Sequence, residues 1–313
     1  MLILLLPICK KSNLILKTRE ETIPVDAEKK RPETDSFPPI LNSTEYEVPV
    51  PFDSIINTAG GEDSPFITPD GNNFYFFFTP DVNVPAEQQL TDGVTGIWWS
   101  KKVNEEWIEP EQVVLHNDIS LDGAHFIQGD TMWFASVRTS NYGEIDYYTA
   151  KLKNGKWTDV KNAGKQINID FDVGELHISP DGQTMYYGNL VEKDIGNFDL
   201  FQLKRTGNGW AEPTLLPAPV NTDYYELQPF ITQDGNELWF TGQSRLGQQG
   251  PSLFRSKKTD NGWTEPEEII SCFAGEPTLD AEGNIYFTHH FYHTGKMIEA
   301  DIYVAYRKQT NQP

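Results

Sequence analysis

From residue 46 onward, short runs of aromatic and β-branched residues alternate with polar stretches, and each run follows a glycine at a nearly fixed interval. The glycines are Gly71, Gly129, Gly182, Gly235 and Gly283, and the intervals are 58, 53, 53 and 48 residues. The runs are Phe74-Tyr75-Phe76-Phe77, Met132-Trp133-Phe134, Met185-Tyr186-Tyr187, Leu238-Trp239-Phe240 and Ile285-Tyr286-Phe287. Turns such as Thr68-Pro69-Asp70-Gly71 and Ser179-Pro180-Asp181-Gly182 between β-rich runs predict hairpins, because glycine accepts the positive φ that a tight turn requires. A third strand is predicted at Ile97-Trp98-Trp99, Asp146-Tyr147-Tyr148, Asp199-Leu200-Phe201, Leu253-Phe254-Arg255 and Asp301-Ile302-Tyr303. A fourth is predicted around Trp107, Trp157, Trp210 and Trp263. No helical period interrupts the pattern. The expectation is an all-β chain, a five-bladed β-propeller with four-stranded antiparallel blades.

The fifth unit reaches its third strand and then has no tryptophan segment. The stretch Tyr46-Glu47-Val48-Pro49-Val50-Pro51-Phe52, followed by Ile56-Asn57-Thr58, parallels Thr214-Leu215-Leu216 with Val220-Asn221-Thr222. An N-terminal strand closing the last blade is therefore expected, which removes an open edge from the ring.

Before residue 46 the pattern changes. Leu2-Ile3-Leu4-Leu5-Leu6-Pro7-Ile8 leads into Cys9 and Lys10-Lys11, which resembles the end of a bacterial lipoprotein signal and makes Cys9 a lipidation candidate; the run is too short to span a bilayer. Residues 10–45 are rich in Lys, Glu, Pro, Ser and Thr without apolar periodicity and are read as a flexible tether. The division is thus 1–9 a signal remnant, 10–45 the tether, 46–308 the propeller and 309–313 a tail. A net charge of -21, from 46 acidic and 25 basic residues, repels phosphate backbones, so nucleic acid is set aside as a partner. Two cysteines make no disulfide framework, and Cys272 in Ile270-Ser271-Cys272-Phe273 reads as a buried thiol.

The repeats resemble those of TolB-type propellers: an acidic residue, a Pro, S-P-D-G, a Leu-Tyr-Phe-like strand, then D-[IL]-Y and G-x-W-x-x-P. The resemblance covers residues 46–308 and is closest to the envelope version with I-N-T links, as in Ile56-Asn57-Thr58 with Glu62 and Val220-Asn221-Thr222 with Glu226. Gln128-Gly129-Asp130 and Glu282 depart from the turn pattern. The resemblance implies a propeller lipoprotein of the cell envelope, periplasmic or anchored to the outer membrane, monomeric, with a binding or scaffolding role and no named ligand.

The leading ends of the inner strands and the loops between second and third strands should share one face. Candidate ligand-binding residues there are Glu62, Asp122, His125, Arg138, His177, Glu226, Gln228, Arg245 and His290, with Ser64, Tyr142, His289 and His293 beside them. The preferred reading is a non-catalytic propeller that binds a protein or glycan partner, touching membrane only through its lipid anchor. The alternative is a glycoside hydrolase of the five-bladed type, with Asp63, Glu175 and Glu276 as its carboxylates. Against it, an acidic residue recurring in every repeat is a structural feature of the blade. Asn168-x-Asp170-x-Asp172-x-Gly174-Glu175 has the alternating oxygens of a Ca2+ loop without the distal glutamate, and Asp170 and Asp172 are its candidate ligands. His289, His290 and His293 have spacing that zinc could use, against the plainer reading of an exposed loop.

Overall fold

The structure is a computed structural model and describes residues 17–115, 119–170, 175–190, 198–207 and 209–309, with Asp170 described by its backbone alone. Two short strands, β1 (Ile40–Leu41) and β2 (Val50–Pro51), precede a series of antiparallel sets. The first set is β3 (Gly61–Ile67), β4 (Asn73–Thr79) and β5 (Gly96–Val103), with β6 (Glu106–Trp107) and β7 (Glu111–Gln112) both pairing β5; a helical turn, Ala86–Asp92, lies between β4 and β5. The second is β8 (Leu121–Gln128), β9 (Thr131–Val137), β10 (Asp146–Lys153) and β11 (Lys156–Asn162). The third is β12 (Leu176–Ile178), β13 (Thr184–Leu190) and β14 (Phe198–Thr206), with β15 (Gly209–Trp210) and β16 (Thr214–Leu215) on β14. The fourth is β17 (Glu226–Ile231), β18 (Glu237–Gln243) and β19 (Pro251–Thr259), with β20 (Gly262–Trp263) and β21 (Glu267–Ser271) on β19. The last is β22 (Ala274–Leu279), β23 (Ile285–His293) and β24 (Lys296–Ala305).

The chain is thus all-β, built from sheets of about four antiparallel strands in sequence order. The first strands of the sets stand side by side: β3 against β8, β8 against β12, β12 against β17, β17 against β22, and β22 against β3. First strands facing one another, with later strands radiating outward, is a β-propeller arrangement. β2 pairs antiparallel with β24, Val50 opposite Val304 and Pro51 opposite Tyr303, and a further bridge joins Tyr46 to Arg307. A parallel bridge, Ala300 to Gly61, links the last set to the first.

The predicted turns form because Asp70 accepts from the Thr68 hydroxyl at 2.5 Å and the Asn72 N–H at 3.1 Å, while Gly71 takes φ 70. The predicted fourth strand resolves into two pieces in three sets. Pro110, Pro213 and Pro266 follow the tryptophans and have no N–H to donate, so the ladder breaks and resumes in β7, β16 and β21. After Trp157 no proline intervenes, and β11 runs as one strand, with a bulge at Asp159 in place of a break. The aromatics fill the spaces between sets: Phe52, Phe74, Trp107 and Tyr286 pack edge-on or tilted with centroids 4.8–5.8 Å apart.

Residues 17–45, read in the sequence as a tether, instead lie along the sheets. Arg19 is 1% exposed, the Lys29 ammonium pairs with Glu299 at 2.7 Å and with Asp301, and the His289 ring meets Asp35 at 2.7 Å. β1 adds an edge strand to β21, and Glu45 takes a two-toothed contact from Arg255 at 2.9 and 2.7 Å. The segment carries few apolar residues because single charged side chains hold it, each matched to a buried charged or imidazole group. Cys9 lies outside the described residues.

Candidate functional site

Each inner strand except the short β12 breaks its ladder at the same point. The register slips between Asp63 and Phe66, Gly123 and Phe126, Leu227 and Phe230, and Gly275 and Thr278. Ser64, Ala124, Gln228 and Glu276 sit at these bulges with φ between 43 and 58, a left-handed conformation for residues with a Cβ. Counting back two residues from the first paired residue after the bulge places Glu175, before His177, at the same level.

The bulges surround a narrow central cavity of about 60 Å³, lined by residues 64–66, 124–126, 175–177, 228–230 and 276–278. Its polar hub is Glu276. That carboxylate accepts from the Ser64 N–H at 2.8 Å, the Ser64 hydroxyl at 3.3 Å, the Gln228 amide at 3.0 Å and the Thr288 hydroxyl at 2.6 Å. Its own N–H donates to the Thr241 hydroxyl at 2.9 Å. Burial, followed by the charges of Glu276 and Glu175, raises the Asp63 pKa well above the usual carboxylate range. Burial and then Glu276 raise Glu175 in the same direction. Three carboxyl groups therefore feel one another here, and protons are held more firmly than at the surface.

His125 and His177 line the apolar part of the cavity. Burial lowers them to about 4 and about 3, so both are neutral at physiological pH. His177 lies between Phe126 and Phe230, at 4.1 and 4.6 Å, and its Nδ1 accepts from the Ile231 N–H at 3.3 Å. Both neutral rings pack against aromatic side chains, His177 against two phenyl groups and His125 beside Tyr75 at 6.2 Å, and are core side chains.

The acidic residues that recur in the repeat separate from this group. Glu62, Asp122 and Glu226 stand two positions before the bulge and face a junction rather than the cavity hub. Asp122 accepts from the Ser136 hydroxyl at 2.5 Å and the Arg138 guanidinium at 2.8 Å. Glu226 accepts from the Thr222 hydroxyl at 2.5 Å and Arg245 at 3.1 Å. Glu62 accepts from the Thr58 hydroxyl at 2.6 Å and Arg19 at 3.3 Å, and burial pushes it up to about 7 against the opposing pull of Arg19. The guanidinium groups lie over aromatic rings of the second or third strands: Arg138 over Tyr148 at 4.1 Å, Arg245 over Phe254 at 4.6 Å and Arg19 over Phe76 at 5.2 Å. The sequence grouped Glu175 and Glu276 with these junction acids, and the register corrects that. Glu276 and Glu175 share a level with Ser64 and Gln228, seven residues before the turn glycine, whereas Glu62 and Glu226 are nine before it.

The histidines expected on an exposed loop lie on β23. His289 is fully buried, His290 is half-buried with its pKa lowered mainly by burial, and His293 is exposed at the strand end. Adjacent strand residues point to opposite faces, which splits His289 from His290. No group of three His, Cys, Asp or Glu able to hold a metal occurs among the described residues. Of the Ca2+ candidates, Asp172 lies outside the described residues and Asp170 is described only as the end of the turn Gln166–Asp170. Arg19, Lys29, Asp35 and Thr288 escaped the sequence reading. Only the spacing from the turn glycine carried a signal; it concerned the glutamates and fails in the second set, where the junction acid Asp122 is itself seven residues before Gly129.

No family model matches the chain, and no curated protein matches it. Solved structures do. TolB from Acinetobacter baumannii is 14% identical with a TM-score of 0.43, over 82% of this chain and 56% of that one, so this chain spans about half its length. An α-L-arabinofuranosidase from Lactobacillus brevis is 12% identical with a TM-score of 0.49, over 80% of this chain and 92% of that one. The catalytic domain of a Coprinopsis cinerea GH62 α-L-arabinofuranosidase is 11% identical with a TM-score of 0.49, over 88% and 98%. At these scores the similarities do not decide what the chain does.

Proposed function

We propose that the chain is a five-bladed β-propeller, closed by β2, that works without covalent chemistry and binds a protein or glycan partner through its loop-rich face. The cyclic order of the inner strands supports the blade count, and the β2–β24 pairing supports the closure. The observation that carries the non-catalytic reading is Glu276. Its carboxylate is committed to four hydrogen bonds within a cavity of about 60 Å³, whereas ligand pockets run to roughly 300–1,000 Å³. A carboxylate so bound, with the junction acids engaged by arginines, serves the fold. Exposed Tyr142, Ile145, Tyr224 and Leu246, beside the loops and inner-strand entries, supply apolar contact surface on the loop-rich side. Localisation follows the lipoprotein pattern at Cys9, a cell-envelope protein held by acyl chains. No helix among the described residues is long and apolar enough to cross a membrane.

One observation favours the glycoside hydrolase alternative: burial and the charge of Glu276 raise the pKa of both Asp63 and Glu175, the direction a general acid needs. A glycan-array and hydrolysis screen of the wild type beside Glu175→Gln and Glu276→Gln separates the two. The proposal expects binding without turnover, unchanged in folded Glu175→Gln; turnover lost in either variant makes the chain an enzyme.

A further inference from the structure

Three junctions on the loop-rich side share one plan, a buried carboxylate, a guanidinium and an aromatic floor, but they obtain the guanidinium differently. In the second and fourth sets it comes from the loop after the second strand, as Arg138 and Arg245. Pairing of Glu62 with Phe78, Asp122 with Ser136 and Glu226 with Gly242 puts Pro80 and Asp81 of the first set where Arg138 and Arg245 stand. The first set has no cation of its own there. Arg19, 43 residues before Glu62, fills the gap.

The receptor is complete without the rest of the N-terminal segment. The carbonyls of Ile56 and Ile55 accept from the guanidinium at 2.5 and 2.6 Å, Glu62 lies at 3.3 Å and Glu109 at 3.7 Å. The rings of Phe76, Phe78 and Trp98 lie 5.2–5.7 Å from its carbon. Two carbonyls and a carboxylate fixed around a planar fork suit a guanidinium far better than an ammonium. Arg19 enters on a short turn whose only apolar anchor is Ile23; residues 24–28 behind it are exposed and the next charged anchor is Lys29.

We propose that the Glu62 junction is a guanidinium-binding site whose internal ligand is Arg19, and that it accepts an arginine side chain from a partner polypeptide when Arg19 is withdrawn. The partner half rests on the binding function proposed above; the receptor half does not. Glu62, Glu109 and the Ile55 and Ile56 carbonyls face the guanidinium directly, so the ligand it takes is cationic, planar and small.

The test uses the full chain carrying Arg19→Ala. Loss of the buried cation should lower Tm by roughly 5–10 °C. Methylguanidinium should recover at least half of that loss saturably, N-acetylargininamide should do likewise, and methylammonium should not; wild-type Tm should respond to none of them. Equal responses to methylguanidinium and methylammonium, or no response beyond that of wild type, overturn the site. Recovery by methylguanidinium but not by N-acetylargininamide overturns the partner half alone. If the variant does not fold unaided, refolding yield becomes the readout, because a ligand of the folded state pulls the equilibrium toward it. Yields equal with methylguanidinium and methylammonium then refute the proposal. A failed glycan or protein screen leaves the rescue standing, so the two readings fail separately.

Discussion

Replacing Glu276 separates its structural role from a chemical one. In Glu276→Ala the Ser64 N–H, the Gln228 amide and the Thr288 hydroxyl lose their acceptor at 2.8, 3.0 and 2.6 Å. Each stranded buried donor costs about 1–3 kcal/mol, and water entering the enlarged cavity recovers part of it. Relief of the charge pressed on Asp63 and Glu175 offsets some more. The net cost should be about 3 kcal/mol. Glu276→Gln keeps one acceptor oxygen and the volume, so its cost should be about 1 kcal/mol at pH 6. Urea denaturation of the three proteins at pH 6 gives the numbers. A cost for the alanine variant below about 0.5 kcal/mol, or a glutamine variant as damaged as the alanine variant, would refute the hub.

Glu62 has a folded pKa of about 7 against an ordinary value of 4.5, so its contribution is fully present below pH 4.5 and is lost as pH rises through 7. Asp63, Glu175, Glu226, Glu299 and Asp301 shift in the same direction, while neutral His125 and His177 oppose only below their ordinary value of 6.5. Relative to Glu62→Gln, the wild type should therefore lose stability between pH 6 and pH 8; an identical change in Tm over that range in the two proteins contradicts the assignment. Asp35→Asn removes the carboxylate facing buried His289 and should cost about 3 kcal/mol in denaturant unfolding while speeding tryptic cleavage at Lys29 and Lys30. Cleavage at the wild-type rate would mean that the pair does not hold the segment.

The repeat was legible because its signals are local. Glycine turns, short aromatic-rich runs and a tryptophan at four of the fourth-strand positions recur at near-constant spacing, and the displaced N-terminal strand could be matched to them. The split of the fourth strand was written in Pro110, Pro213 and Pro266 but needed the hydrogen-bond argument to be seen. The segment 17–45 was not legible. Arg19, Lys29 and Asp35 are held one at a time against carboxylates or a ring far along the chain, and such contacts leave no periodicity. Within the candidate site, the acidic residues were recognisable as a class, but two levels of the inner strand were merged. A bulge shifts which side chains face the cavity, so residue type alone could not distinguish Glu276, bound to Ser64 and Gln228, from Glu226, bound to Arg245.

Closure of the ring by β2 can be read amide by amide through native-state hydrogen exchange. The Phe52 N–H donates to the Ile302 carbonyl at 2.8 Å and the Glu47 N–H to Tyr306 at 2.8 Å. If β2 completes the last blade, both amides should exchange only with global unfolding, at the same free energy as those of β23 and β24. Exchange at the rate of a frayed terminus, while β23 and β24 stay protected, would contradict a ring held shut by its own N-terminal strand.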